Sequence, residues 1–154
     1  AGGGETGGGG GRVAVVLSGP DAFTGSMTAY GGDGGQPWGD GAAGTVYRSA
    51  PGARQTLTVA NFAGANTASN VVTYVRSQLE LQDTAVIVTN STRLALATNA
   101  FFANLYLQSP NSIMDLNYVY TLRVRTPRHG LTPGFATNYA ANVFWENGTV
   151  ITVR

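Results

Sequence analysis

The chain has 154 residues, 22 of them glycine, with no cysteine, 11% charged residues and a formal net charge of +1. That length fits one domain able to bury its own core. The missing cysteines exclude a disulfide framework and thiolate metal sites. The near-neutral balance argues against nucleic acid as a partner, and no apolar run approaches the roughly 20 residues needed to span a bilayer.

Period-2 alternation and short β-branched runs mark the predicted strands. In chain order they are 12–17, 26–30, 45–48, 56–60, 71–76, 78–81, 85–89, 93–97, 101–107, 113–116, 118–125, 142–145 and 149–153. Turn chemistry separates most of them, at Ser18-Gly19-Pro20-Asp21, Ala50-Pro51-Gly52, Asn90-Ser91-Thr92, Ser109-Pro110-Asn111 and Asn147-Gly148. Only Phe62 to Val75 could make a short helix, and Gly64 and the β-branched residues weaken it.

The spacing suggests an architecture. Apolar pairs two residues apart recur as Leu79/Leu81, Val86/Val88, Leu94/Leu96 and Leu105/Leu107, with polar residues between. Short strands with inward pairs predict an all-β parallel β-helix, or β-solenoid, with about three strands per coil. A β-sandwich is the alternative. The ending Phe144-Trp145-Glu146-Asn147-Gly148-Thr149 reads as a hairpin whose Asn-Gly suits positive φ. The expected organisation is therefore a glycine-rich solenoid over 1–125 with a loop-and-hairpin cap over 126–154.

Glycine is concentrated: 17 of the 22 lie before residue 45. They sit in an ordered pattern, Gly7-Gly8-Gly9-Gly10-Gly11-Arg12-Val13-Ala14-Val15, then Phe23-Thr24-Gly25-Ser26-Met27-Thr28-Ala29-Tyr30-Gly31-Gly32, then Gly41-Ala42-Ala43-Gly44-Thr45-Val46-Tyr47. This pattern resembles a glycine-rich module of large secreted and cell-surface microbial proteins that look like parallel β-helices. The resemblance implies a structural, adhesive or assembly role in an extracellular or cell-surface setting. It carries over no catalytic residue.

A phosphate-cradling glycine loop needs a strand before it and a helix after it, whereas this run precedes a strand. A flexible linker is one reading. Close packing of extended glycine backbone is the preferred one, since absent side chains let backbones approach. Gly8, Gly9, Gly10, Gly11 and Arg12, with Trp145 among the C-terminal aromatics, are the candidate assembly residues.

Asp33 and Asp40 in the loop around Trp38 are candidate ligand-binding residues. Trp38 could stack on a sugar, and the two carboxylates are donors of the kind Ca²⁺ takes. Neither an EF-hand loop nor a Gly-Gly-x-Gly-x-Asp repeat is present, and Asp in such turns is usually a turn former. No cofactor is otherwise expected.

Asn90-Ser91-Thr92 and Asn147-Gly148-Thr149 fit the N-glycosylation pattern, although Asn90 could equally join a side-chain ladder. Glu80 and Asp83 could form a carboxylate pair for glycan cleavage, but Glu80 alternates with leucines and reads as an outward strand residue, with Asp83 at a corner. His129, the only histidine, lies in a loop signal. Arg123, Arg125 and Arg128 with Tyr118 and Tyr120 would suit single-stranded nucleic acid only in a more basic chain. The expected function is a non-enzymatic structural module that self-associates into a layer or filament or mediates adhesion. The alternative is a carbohydrate-binding or carbohydrate-cleaving domain.

Overall fold

The computed structural model describes residues 6–35, 39–62, 72–75, 80–90, 92–109, 112–117, 119–125 and 143–145, with the backbone alone at 72–75, 80 and 82. Among these there are ten strands and no helix: β1 Arg12–Val16, β2 Gly44–Ser49, β3 Gln55–Ala60, β4 Val72–Val75, β5 Glu80–Thr89, β6 Arg93–Leu96, β7 Ala100–Leu107, β8 Ile113–Asp115, β9 Leu122–Val124 and β10 Val143–Trp145. They form a seven-stranded sheet in the order β1-β2-β3-β5-β7-β9-β10 and a three-stranded sheet β4-β6-β8. From β3 to β9 the chain alternates between the two sheets.

Every pair is parallel except β2 with β3. The connection explains the exception. Pro51 supplies the first central position of a turn and Gly52, at φ 73°, the second, and Ala53 N–H donates to the Ala50 carbonyl at 3.2 Å. So tight a link can join only antiparallel neighbours.

This arrangement corrects the expected parallel β-helix. A closed solenoid with three strands per coil is not what the strands make. The larger sheet is mixed, and among the described residues β1 and β2 have no counterpart in the smaller one. The physical reason lies in the first third of the chain, where glycine supplies no apolar side chains to stack in columns. The predominantly parallel pairing also departs from the antiparallel sheets of a β-sandwich. The first strand of the expected C-terminal hairpin is present as β10, which pairs in parallel with β9 (Val143 with Leu122, Trp145 with Val124); its return strand at 149–153 lies outside the described residues.

Several elements differ locally. Residues 26–30 form no strand. The separate strands expected at 78–81 and 85–89 are one ten-residue strand, β5, with a register shift between Leu81 and Ala85 against β7. Leu81 faces Phe102 and Ala85 faces Asn104, so β5 carries two extra residues there and bulges. Asp83 therefore sits within a strand, not at a corner. Of the described residues 119–125 only β9 is strand, and Asn117 stands before it at φ 49°.

The core is one cluster fed by both sheets. Leu57 and Val59 of β3, Val86 and Val88 of β5, and Leu105 and Leu107 of β7 share one face by register. Leu94 and Leu96 of β6 join them with Met114 and Leu116, and Phe102 is fully buried in the same cluster. On the smaller sheet's other face Arg93 Nε donates to the Asp115 carboxylate at 3.0 Å.

Candidate functional site

Three extended glycine-rich segments, 7–11, 29–34 and 39–44, lie against one another without being strands over most of their length. Backbone hydrogen bonds join them. Gly7 N–H donates to the Gly39 carbonyl (2.6 Å), Gly32 N–H to Gly8 (2.7 Å), Gly41 N–H to Gly32 (2.8 Å), Gly10 N–H to Ala42 (2.8 Å) and Gly44 N–H to Ala29 (2.7 Å).

The positions that demand glycine are periodic. A Cβ at Gly41 would overlap the Gly8 carbonyl, and one at Gly44 would overlap the carbonyl of Gly11. Backbone overlaps of the same kind occur at Gly7, Gly10, Gly31 and Gly34, so each segment turns glycine inward at a spacing of three. Three residues per turn is the repeat of a polyproline II-type chain, which makes no internal hydrogen bonds and leaves them for its neighbours. Gly8, Gly9 and Gly11 differ: a Cβ there would meet nothing within 4 Å, and none has a positive φ.

Asn61, 1% exposed at the end of β3, fastens this bundle to the sheet. Its Oδ1 accepts from Gly31 N–H and Phe62 N–H (3.0 and 3.2 Å), and its Nδ2 donates to the Gly41 carbonyl (3.0 Å). Asn90, at φ 54°, stands one strand further along and donates from Nδ2 to the Asn61 carbonyl at 3.1 Å. The candidate glycan acceptor is thus half-buried with its side-chain amide bonded to a backbone carbonyl, while Asn147 lies outside the described residues.

The glycine run continues into β1, the terminal strand of the larger sheet. Thr45 N–H donates to the Gly11 carbonyl (3.1 Å) and Leu17 N–H to the Ser49 carbonyl (2.9 Å). In a parallel ladder, alternate residues turn both backbone groups toward the same neighbour. Residues 11, 13, 15 and 17 therefore face β2. The N–H and C=O of Arg12, Ala14 and Val16 face away, and no strand lies beyond them among the described residues. These three residues are also the exposed ones of the strand, Val16 at 72%. By register with Tyr47 and Leu57 their side chains lie on the core side of the sheet, and they are exposed at this end.

On the opposite face, residues 17–30 are pinned by Arg48. Its guanidinium pairs with Asp21, donates to the Phe23 carbonyl at 3.0 Å and lies over the Phe23 ring, 5.6 Å from the centroid. The Arg48 hydrogen bond, reinforced by one from Phe23 N–H, holds the Asp21 carboxyl below the usual carboxylate range. A cleft of about 140 Å³ lies between Met27–Tyr30 and Thr58, Thr89 and Asn90. It is smaller than the roughly 300 Å³ at which small-molecule pockets begin.

The remaining candidates are placed as follows. Asp33 Oδ1 accepts from Gly35 N–H (2.8 Å) and Asp40 Oδ1 from Gly34 N–H (3.2 Å), so each carboxylate is turned to its own loop. Trp38 lies outside the described residues, and so does His129. Among the described residues no cluster of acidic or histidine side chains is grouped to hold a metal ion. Asp83 is paired with Arg125 at 3.2 Å, Arg125 lies over the Phe101 ring, and only the backbone of Glu80 is described. Tyr120 and Trp145 are packed against the core, whereas Phe144 is 53% exposed.

Sequence reasoning missed Asn61, Asp21 and Arg48. A buried Asn closing an apolar strand was the available signal for the first; the other two carry none in their spacing. No helix among the described residues is long and apolar enough to cross a membrane, which says nothing of β-barrels. No family model, curated protein or solved structure matches the chain.

Proposed function

We propose that the protein is a non-enzymatic structural building block that joins other chains by strand addition at the β1 edge. The observation that carries this reading is the row of outward N–H and C=O groups on Arg12, Ala14 and Val16 at the end of a seven-stranded sheet. Such a row is a template for another strand, and native sheets usually blunt it with charge, proline or a covering segment. Here the edge is Arg-Val-Ala-Val-Val, with a single charge at its start. The exposed Val16 side chain adds apolar area that an incoming strand would bury. An extracellular or cell-surface setting is part of the proposal and rests on the glycine-rich sequence pattern.

Ala14→Pro tests it. Proline removes an N–H that faces away from β2, so the internal ladder keeps its bonds while the edge loses a donor. In sedimentation velocity the parent chain is expected to grow heavier with concentration. Ala14→Pro should stay monomeric with an unchanged melting temperature. Equal association by both proteins would refute strand addition at this edge.

A further inference from the structure

Resting on that reading, we propose that the partner is β1 of a second copy, paired antiparallel about a twofold axis through Ala14. Parity selects this register. Outward groups occur only at Arg12, Ala14 and Val16, and antiparallel hydrogen-bonded pairs need outward groups on both strands. The one register that uses all three sets Arg12 opposite Val16 of the second copy, Ala14 opposite Ala14, and Val16 opposite Arg12. Each pair exchanges both backbone bonds. A parallel partner would require the strands to be staggered by one residue, which an exact twofold axis forbids.

The side chains suit the same register. The smallest residue of the strand lies on the axis, so nothing bulky meets its own copy there. Each Arg12 lays its aliphatic stem beside a Val16 that is 72% exposed in the single chain. The two Arg12 residues are four positions apart along the strands, about 14 Å at 3.4 Å per residue. That exceeds the roughly 8 Å screening length of physiological salt, so the like charges do not oppose pairing. Beyond the three pairs, Gly11 faces Leu17 of the second copy. The Cβ direction of Gly11 is empty to 4 Å, and neither φ nor internal packing calls for glycine there. An incoming leucine side chain gives that glycine a use. The interface is isologous, so it closes as a dimer.

The chain has no cysteine, so one introduced thiol can pair only with another copy. Facing Cα atoms in a hydrogen-bonded antiparallel pair stand about 5.5 Å apart, within the range a disulfide spans. Under mild oxidation Ala14→Cys should form a covalent dimer roughly tenfold faster than Val16→Cys, whose thiols would stand about 14 Å apart. An equimolar mixture of Arg12→Cys and Val16→Cys should cross-link as the mixed dimer. If the parent chain associates with concentration but Val16→Cys links to itself faster than Ala14→Cys, the register is wrong while edge addition stands. If the parent chain stays monomeric at every concentration, the edge reading falls with it.

Discussion

In residues 7–44 three glycine-rich segments are joined by backbone hydrogen bonds and the amide of Asn61, whereas from β3 to β9 the sheets are held by a cluster of Leu, Val, Phe and Met side chains. The first region achieves close approach by omitting side chains at every third position. The second achieves it by filling space with them. Dense packing therefore has two sequence signatures in one chain, and a hydrophobicity pattern detects only one. Among the described residues no strand lies beyond the outer strand of the glycine region, and the proposed pairing surface lies there.

Substitutions that act on one region and spare the other sharpen this contrast. The largest effect is expected from Phe102→Ala, which empties a fully buried site in the side-chain core. It should lower global stability in urea unfolding by about 3–5 kcal/mol. Asn61→Ala comes next. It strands the Gly31 N–H and the Gly41 carbonyl in a buried place, at about 1–3 kcal/mol for each. Hydrogen exchange should rise in 29–34 and 39–44 before it rises in β5 and β7; a uniform rise would break the distinction between the regions.

Gly41→Ala and Gly9→Ala form a matched pair. The first places a methyl group into the Gly8 carbonyl and the second into open space. Gly41→Ala should destabilise the bundle by about 1–3 kcal/mol. Gly9→Ala should be neutral or stabilise by up to about 1 kcal/mol, through the less flexible unfolded chain. Equal losses in thermal melts would show that the spacing of three has no packing meaning.

The smallest effect concerns the segment held by Arg48. The folded Asp21 carboxyl titrates below its ordinary value near 3.8. Its contribution is thus fully present above that value and is lost as pH falls through the lowered one. Carboxyl NMR titration should place the Asp21 midpoint below the ordinary range, and Arg48→Gln should return it there. A midpoint unaffected by Arg48→Gln would contradict the pairing.

Most strands were legible in the sequence because alternation such as Thr56-Leu57-Thr58-Val59 records which side faces the core. Their partners were not legible. The sequence of β2 does not say that it runs parallel to β1 and antiparallel to β3; the turn at Pro51-Gly52 decides that, and its consequence for closure of the fold is not local. The bulge that brings Asp83 into β5 was hidden because two extra residues on one strand are visible only against its neighbour. The glycine cluster was plain, but not which glycines are crowded. That depends on how segments distant in sequence come together, as Gly8 with Gly41 and Gly11 with Gly44 do.

The claim that the outward groups of β1 form the pairing surface is tested most directly by amide hydrogen exchange of that strand at low and high protein concentration. Val13 and Val15, bonded to β2, should be protected at both. Arg12, Ala14 and Val16 should exchange freely in dilute solution and become protected as concentration rises. Exchange at those three amides that is the same at every concentration would contradict the account.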